Sequence, residues 1–135
     1  MKFRVDTTKL RRLVDPLDGA MWKCAKILDR EILEAVEAQN FDDRIWDDLV
    51  QSVNSDMRSY HIARVATLLQ QGFTFDGCVL VGVVDAPGQA DNFYMNDGNH
   101  RLAATYIRAP EFIELAVATN NPDRMTEKYP FFKPV

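Results

Sequence analysis

The stretch NFYMNDGNHRLAATYI, residues 92–107, decides the fold, because it joins a predicted strand to a predicted helix. Phe93-Tyr94-Met95 is an apolar and aromatic run typical of a strand. The segment from Asn99 to Arg108 is rich in alanine and is followed by a proline, which predicts a helix. Asp97 and Gly98 supply turn chemistry between the two. We therefore expect a strand that passes through a glycine turn directly into a helix.

The flanking segments predict more strands and one further helix. Ser59 to Gln71 carries apolar residues at helical spacing, and Gly72 follows it as a predicted C-cap. The β-branched run from Cys78 to Val84 is typical of a buried strand, and Phe112 to Thr119 predicts another. Phe3 to Val5 predicts an edge strand. This order indicates an α+β fold with a small mixed sheet.

The pattern of the first half of the chain predicts helices. Asp15-Pro16 is a helix start, and apolar residues at three- and four-residue spacing predict that the helix runs to about Ala38. Asp42 or Asp43 is expected to cap a second helix. The apolar stripe of that helix consists of Ile45, Trp46, Leu49, Val50 and Val53.

The length predicts a single domain over residues 1–135. We divide it into a basic N-terminus with a helical segment, a core, and a tail that three prolines predict to be irregular. These parts are residues 1–57, 58–119 and 120–135.

Composition excludes several classes of protein. Hydrophobic residues make up 47% of the 135 residues, which excludes a largely disordered chain. No apolar run approaches the roughly 18 residues of a membrane helix, and the charged N-terminus is unlike a signal peptide. Two cysteines are too few for a disulfide framework. We expect a reduced, cytoplasmic protein that has no membrane segment.

Charge is unevenly distributed along the chain. Residues 13–57 carry four basic and eleven acidic residues, a net of −7, whereas the whole chain has a net charge of −4. This balance argues against a dedicated nucleic-acid-binding protein, which usually has a basic face. The N-terminus is basic, unlike the rest of the chain. It either contacts nucleic acid or an acidic partner, or is a solvated end. Its basic residues are Lys2, Arg4, Lys9, Arg11 and Arg12.

The junction at Asp97–Arg101 has the chemistry of an anion site. The first N–H groups of a helix lack internal partners, and the helix dipole places positive charge there. Gly98 permits close approach of a ligand, Arg101 can bind a phosphate with two hydrogen bonds, and His100 can donate to an anion or transfer a proton. Asp97 is the candidate metal ligand or base. The alternative is a plain turn.

The region from Ser59 to Thr119 resembles the ParB/sulfiredoxin-like superfamily. The resemblance is carried by HIARVATLLQQG, CVLVGVVD, NFYMNDGNHRLAATYI and IELAVAT, in the order of that family, with the core pattern D-G-x-H-R-x-x-A-A. It implies a family core of small mixed sheet and helices after the N-terminal helical segment. It also implies that Gly98, Asn99, His100 and Arg101 bind a nucleotide.

The resemblance implies that the helix before the first core strand adds polar contacts to this site. The alternative is a solvated helix face. Asp85, after the first core strand, is either a further site residue or an ordinary loop acid. The helix candidates are Arg58, His61, Arg64 and Thr67.

The family resemblance implies an activity class without choosing one reaction. Asn99 stands where sulfiredoxins carry their reactive cysteine, so sulfinic-acid reduction is not expected. The 27 residues after Arg108 are too few for the DNA-binding domain of partition proteins. We expect binding of ATP or CTP with Mg²⁺. Phosphoryl transfer or hydrolysis would then use Asp97, His100 and Arg101, and whether the protein is an enzyme stays open.

Two alternatives to nucleotide binding stay open. The first is a non-enzymatic interaction module, of the kind encoded by a phage or mobile element, that binds a host protein through the acidic helices of residues 15–53. The second is nucleic-acid processing, against which the acidic net charge counts.

Overall fold

A computed structural model describes residues 1–44 and 57–135 of the chain. The predicted second helix, with its stripe from Ile45 to Val53, lies outside the described residues. The elements in chain order are β1 (Lys2–Asp6), α1 (Thr7–Leu13), a 3₁₀ turn (Pro16–Asp18), α2 (Asp29–Glu37), α3 (Arg58–Gln71), β2 (Val79–Val83), β3 (Asn92–Met95), α4 (Asn99–Arg108), β4 (Phe112–Thr119), α5 (Pro122–Lys128) and β5 (Phe132–Pro134). The fold is α+β, as the sequence predicts.

The described residues form two compact units. The sheet unit comprises Met1–Asp15, Phe75–Asn99 and Ala109–Val135. The helical unit comprises the described residues of Pro16–Thr74 together with His100–Arg108. None of the helices within residues 1–44 and 57–135 has the length and apolar character needed to cross a lipid bilayer.

The sheet unit is built on five strands in the order β3-β2-β4-β1-β5. β2 and β4 are parallel, and the other neighbouring strands are antiparallel. Residues alternate between the two faces of each strand, so Phe3 and Val5 of β1 are fully buried while Arg4 between them is exposed. Phe132 of β5 meets the edge of the Phe3 ring, with ring centroids 6.2 Å apart.

The helical unit has its own apolar core. Leu17 and Ile27 come from the segment before α2, and Ile32 lies on α2. Two small residues of α4, Ala103 and Ala104, are fully buried in the same cluster. Small side chains allow a helix to pack closely, which explains the run of alanines in this helix. The other members are Val65 and Leu68 of α3.

Six predicted elements have bounds within one residue of those observed, β1 and β3 among them. α3 ends at Gln71, and the φ of +82° at the following Gly72 supports the predicted C-cap. α4 and β4 match the predicted ranges at both ends, and β2 is one residue shorter at each end than predicted. These elements are set by local periodicity and by glycine, so the sequence alone specifies them.

The predicted continuous helix from Asp15 to Ala38 is wrong. The chain makes a 3₁₀ turn, then irregular turns, and α2 begins only at Asp29. Gly19 and Lys23 have φ values of +85° and +55°, which interrupt a right-handed helix. The carboxylate of Glu31 accepts a hydrogen bond from the Leu28 N–H at 2.8 Å, which fixes the later start of α2.

The prediction of an irregular tail is also wrong. Asn121 accepts a hydrogen bond from the Arg124 N–H at 3.1 Å and caps α5, with Pro122 in its first turn. The chain then forms β5, which pairs with β1. For this reason β1 lies between β4 and β5, and the prediction that it is an edge strand is wrong. Asp6 caps α1, a helix not predicted from the sequence, by accepting from the Lys9 N–H at 3.0 Å.

Candidate functional site

The turn between β3 and α4 has the predicted strand–glycine–helix arrangement. Asn96 donates from its backbone N–H to the Val79 carbonyl at 3.0 Å, which holds the end of β3 beside β2. The exposed Asp97 accepts from the Gly98 N–H at 2.7 Å, and Asn99 donates from Nδ2 to the Met95 carbonyl at 3.3 Å. Gly98 is buried and has a φ of +92°. The turn therefore depends on a conformation that glycine adopts readily.

Gly98→Ala is expected to lower the free energy of unfolding by roughly 2–4 kcal/mol, since both the positive φ and a steric overlap disfavour alanine. A Cβ at this position would lie 2.6 Å from Sγ of Cys78, a buried residue. Gly88→Ala is the matched control, because Gly88 has a φ of +72° and nothing within 4 Å of an added Cβ. Urea denaturation should show the larger loss for Gly98→Ala, and equal losses would contradict the close approach.

A pair of histidines forms the centre of the candidate site in the helical unit. His61 lies in the first turn of α3 and is fully buried. Its Nδ1 atom is 2.8 Å from Nε2 of His100 in the first turn of α4. At this distance the two nitrogens form a hydrogen bond, in which one ring N–H is the donor and the unprotonated nitrogen of the other ring is the acceptor. The structure thus joins two predicted site residues that are 39 positions apart in the chain.

Two aromatic side chains enclose the histidine pair. Trp22 stacks on His61, with centroids 4.2 Å apart and planes at 7°, and on His100, with centroids 4.9 Å apart and planes at 18°. Tyr60 presents an edge-on geometry to both rings and donates from its hydroxyl to the Arg44 carbonyl at 2.6 Å. No spacing signal in the sequence could have placed Trp22 here, because it lies in an irregular segment.

Burial lowers the pKa of both histidines. The pKa of His61 falls to about 4 because burial disfavours its charged form. The pKa of His100 falls to about 3, chiefly by burial and then by repulsion from His61, once that ring is protonated at low pH, and from the Arg64 guanidinium. Both rings are therefore neutral at pH 7. At pH 7 the His100 ring can donate a hydrogen bond or accept a proton, but it carries no charge. The positive charge near it in the helical unit is that of Arg64.

The other candidates on α3 differ in their surroundings. Arg58 donates to the carbonyls of Ala25 and Lys26 and forms an ion pair with Glu31 at 2.6 Å, so it holds the segment before α2. Thr67 is buried and donates to the Ala63 carbonyl at 2.8 Å. Through these contacts Arg58 and Thr67 have structural roles inside the helical unit.

Arg64 and Arg101 are the arginines of interest on α3 and α4. Arg64 donates to the Asp42 carbonyl at 3.5 Å and acts electrostatically on His100. Arg101 donates from Nη1 to the Thr74 carbonyl at 3.2 Å. The Asp42 carboxylate is paired with Arg44 at 2.6 Å, which lowers the pKa of Asp42.

Asp85 is engaged in ion pairs within the sheet unit. Lys128 and Arg124 of α5 donate to its two carboxylate oxygens at 2.8 and 2.5 Å, and these bonds lower its pKa. Lys128 also contacts Asp91 at 2.7 Å, and Asp91 accepts from the Tyr129 hydroxyl. These bonds connect α5 with the loop between β2 and β3, so Asp85 serves the packing of the sheet unit.

Within the described ranges, no three histidine, cysteine or acidic residues lie close enough together to bind a metal ion by themselves. Asp97 offers a single carboxylate, which fits a Mg²⁺ ion held mainly through phosphate oxygens. Comparison with known proteins adds no family to this picture: no family model, curated protein or solved structure matches the chain.

Proposed function

We propose that this protein binds the phosphate groups of a nucleoside triphosphate, ATP or CTP, at the segment Asp97–Arg101. Three features support the proposal: the resemblance to the ParB/sulfiredoxin-like superfamily, the glycine turn that opens a ten-residue helix, and the histidine pair. The start of α4 is suited to phosphate oxygens, because the helix dipole places partial positive charge at a helix N-terminus.

The single observation that carries the proposal is the 2.8 Å contact between His61 and His100. His100 belongs to the loop to which the family resemblance assigns the phosphates, and His61 belongs to the helix expected to add polar contacts. If the segment Asp97–Arg101 were only a turn and α3 presented only a solvated face, nothing would require the two rings to be in contact. Burial of His61 argues against the solvated-face alternative for this residue.

The residues suggest how the charge of the phosphates would be balanced. His100 is neutral at pH 7 and would act as a hydrogen-bond donor, while Arg101 would supply positive charge and bidentate geometry. Mg²⁺, when bound, would neutralise phosphate charge, and Asp97 is the residue that would hold it. Transfer of a phosphoryl group requires chiefly this positioning and charge stabilisation, so turnover is the natural second assay.

The first test measures thermal stability with ATP, CTP, GTP or ADP, each with and without Mg²⁺. A ligand at a hundredfold above its Kd stabilises by about 2.7 kcal/mol, which raises Tm by several degrees in a domain of this size. We expect Arg101→Ala to abolish a selective shift. Arg108→Ala is the matched control, because Arg108 lies on the same helix and also donates to a backbone carbonyl, that of Leu69.

The outcomes separate the proposal from its alternatives. Loss of the shift in Arg101→Ala with retention in Arg108→Ala would support the phosphate site and identify the nucleotide for a phosphate-release assay. Absence of a shift with every nucleotide would contradict the proposal. The interaction module, which would bind a host protein through the acidic residues of segment 15–53, would then be the hypothesis to test.

A further inference from the structure

A surface groove of about 420 Å³ in the sheet unit brings the basic N-terminus together with the C-terminal strand. The volume is within the range of small-ligand sites. Three cations and two aromatic rings line it, with a single acidic residue. These residues are Arg4, Lys9, Lys133, Phe112, Phe131 and Asp6.

The positive charge of the groove follows from strand register. Arg4 of β1 is directly opposite Lys133 of β5, and like charges in that position repel each other. On its other side Arg4 is opposite Glu114 of β4, which does not line the groove. Among residues 1–44 and 57–135, no carboxylate pairs within 4.0 Å with Arg4, Lys9 or Lys133. An anionic ligand would relieve this repulsion.

The aromatic side chains add flat apolar surface next to these cations. The Arg4 guanidinium lies 4.3 Å from the centroid of the Phe112 ring, and Phe112 remains 38% exposed. Phe131 stacks on Phe132 with centroids 5.0 Å apart, which fixes its orientation at the groove. Cations that follow a backbone and rings that stack on bases are the two components of grooves for single-stranded nucleic acid.

We propose that this groove binds a short segment of single-stranded nucleic acid. Arg4, Lys9 and Lys133 contact the phosphates, and a base packs against Phe131. An acidic peptide would use the cations but would gain nothing specific from a ring face, so the observations favour nucleic acid. The net charge of −4 does not oppose this local attraction, because salt screens charges beyond about 8–10 Å.

The test measures fluorescence anisotropy of a labelled oligothymidylate of about twelve nucleotides at several salt concentrations near or above about 50 mM. Three phosphate contacts predict a slope of log K against log salt of about −2. We expect Lys9→Glu/Lys133→Glu to weaken binding at least about tenfold and to flatten the slope to about −0.7. The control Lys23→Glu/Lys26→Glu makes the same change in net charge at exposed positions outside the groove and should change affinity less than about twofold.

Phe131→Leu tests the ring separately, because it retains apolar packing while removing the stacking face. Affinity should fall at least about fivefold, the lower bound for a lost base stack, and a thermal melt checks that the variant is folded at the assay temperature. No binding, equal losses in the two lysine double variants, or full affinity in Phe131→Leu would overturn the proposal. So would competition by an oligoglutamate peptide as effective as that by unlabelled oligothymidylate, which would identify an acidic-peptide site instead.

Discussion

Lowering the pH from 6.5 to 4.5 is expected to destabilise the folded protein by roughly 2 kcal/mol for each of the two histidines that stays neutral. In the unfolded chain a histidine takes up a proton near its ordinary pKa of 6.5, whereas in the fold the pKa values of His61 and His100 are about 4 and about 3. Between these values the unfolded state binds more protons. The free energy of unfolding therefore falls as the pH falls, by about 1.4 kcal/mol per pH unit for each such group.

The ion-paired carboxylates contribute little to the pH dependence of stability between pH 5 and 6.5. Glu31, Asp42 and Asp85 have lowered pKa values in the fold, and their stabilisation is lost only as the pH falls below their ordinary values of 3.8 to 4.5. Between pH 5 and 6.5 the histidines dominate the pH dependence. Urea denaturation at half-unit intervals over this range checks the slope.

Nuclear magnetic resonance provides an independent check, since the chain contains only two histidines. Neither imidazole resonance of the folded protein should titrate between pH 5 and 7.5. A ring that titrates near 6.5 would contradict the buried, neutral pair. Replacing His100 by asparagine should remove part of the stability slope between pH 5 and 6.5, whereas replacing an exposed residue such as Lys23 should leave that slope unchanged.

Gly19→Ala is expected to cost about 4 kcal/mol of folding free energy, the largest effect of any single substitution considered. Gly19 has a φ of +85°, and an added Cβ would lie only 2.2 Å from the carbonyl oxygen of Cys24. The Cys24 N–H in turn donates to the Gly19 carbonyl at 3.0 Å, so the two backbone segments are held together. Backbone cannot rotate away as a side chain can, and the turn that carries Trp22 must therefore deform.

Gly72→Ala is the matched control for this substitution. Gly72 belongs to the same helical unit and has nearly the same φ, +82°, but an added Cβ there meets nothing within 4 Å. Chemical denaturation should show a loss of about 1 kcal/mol for Gly72→Ala and a several-fold larger one for Gly19→Ala. Similar losses would show that the close approach at Gly19 is absent. Because Trp22 stacks on both histidines, Gly19→Ala should also perturb their imidazole resonances.

The sequence predicts an element well where the residues of that element set its conformation. The glycine turn at Gly98 and the helix α4 were predictable, because positive φ, alanine content and a following proline all act within a few residues. The sequence also indicated His61 and His100 as candidates separately. It could not indicate that their rings touch, since the contact depends on how α3 and α4 pack around Ala103, Ala104 and Val65.

The sequence by itself determined the α+β class, the bounds of α3, α4 and β4, and the strand–glycine–helix turn. The tertiary structure alone decided that the tail forms β5, that β1 lies inside the sheet, and that Trp22 covers the two histidines. The physical reason is the distance along the chain over which each effect acts. Dihedral preferences and side-chain periodicity act over a few neighbouring residues, whereas strand order and ring stacking depend on which distant surfaces bury each other.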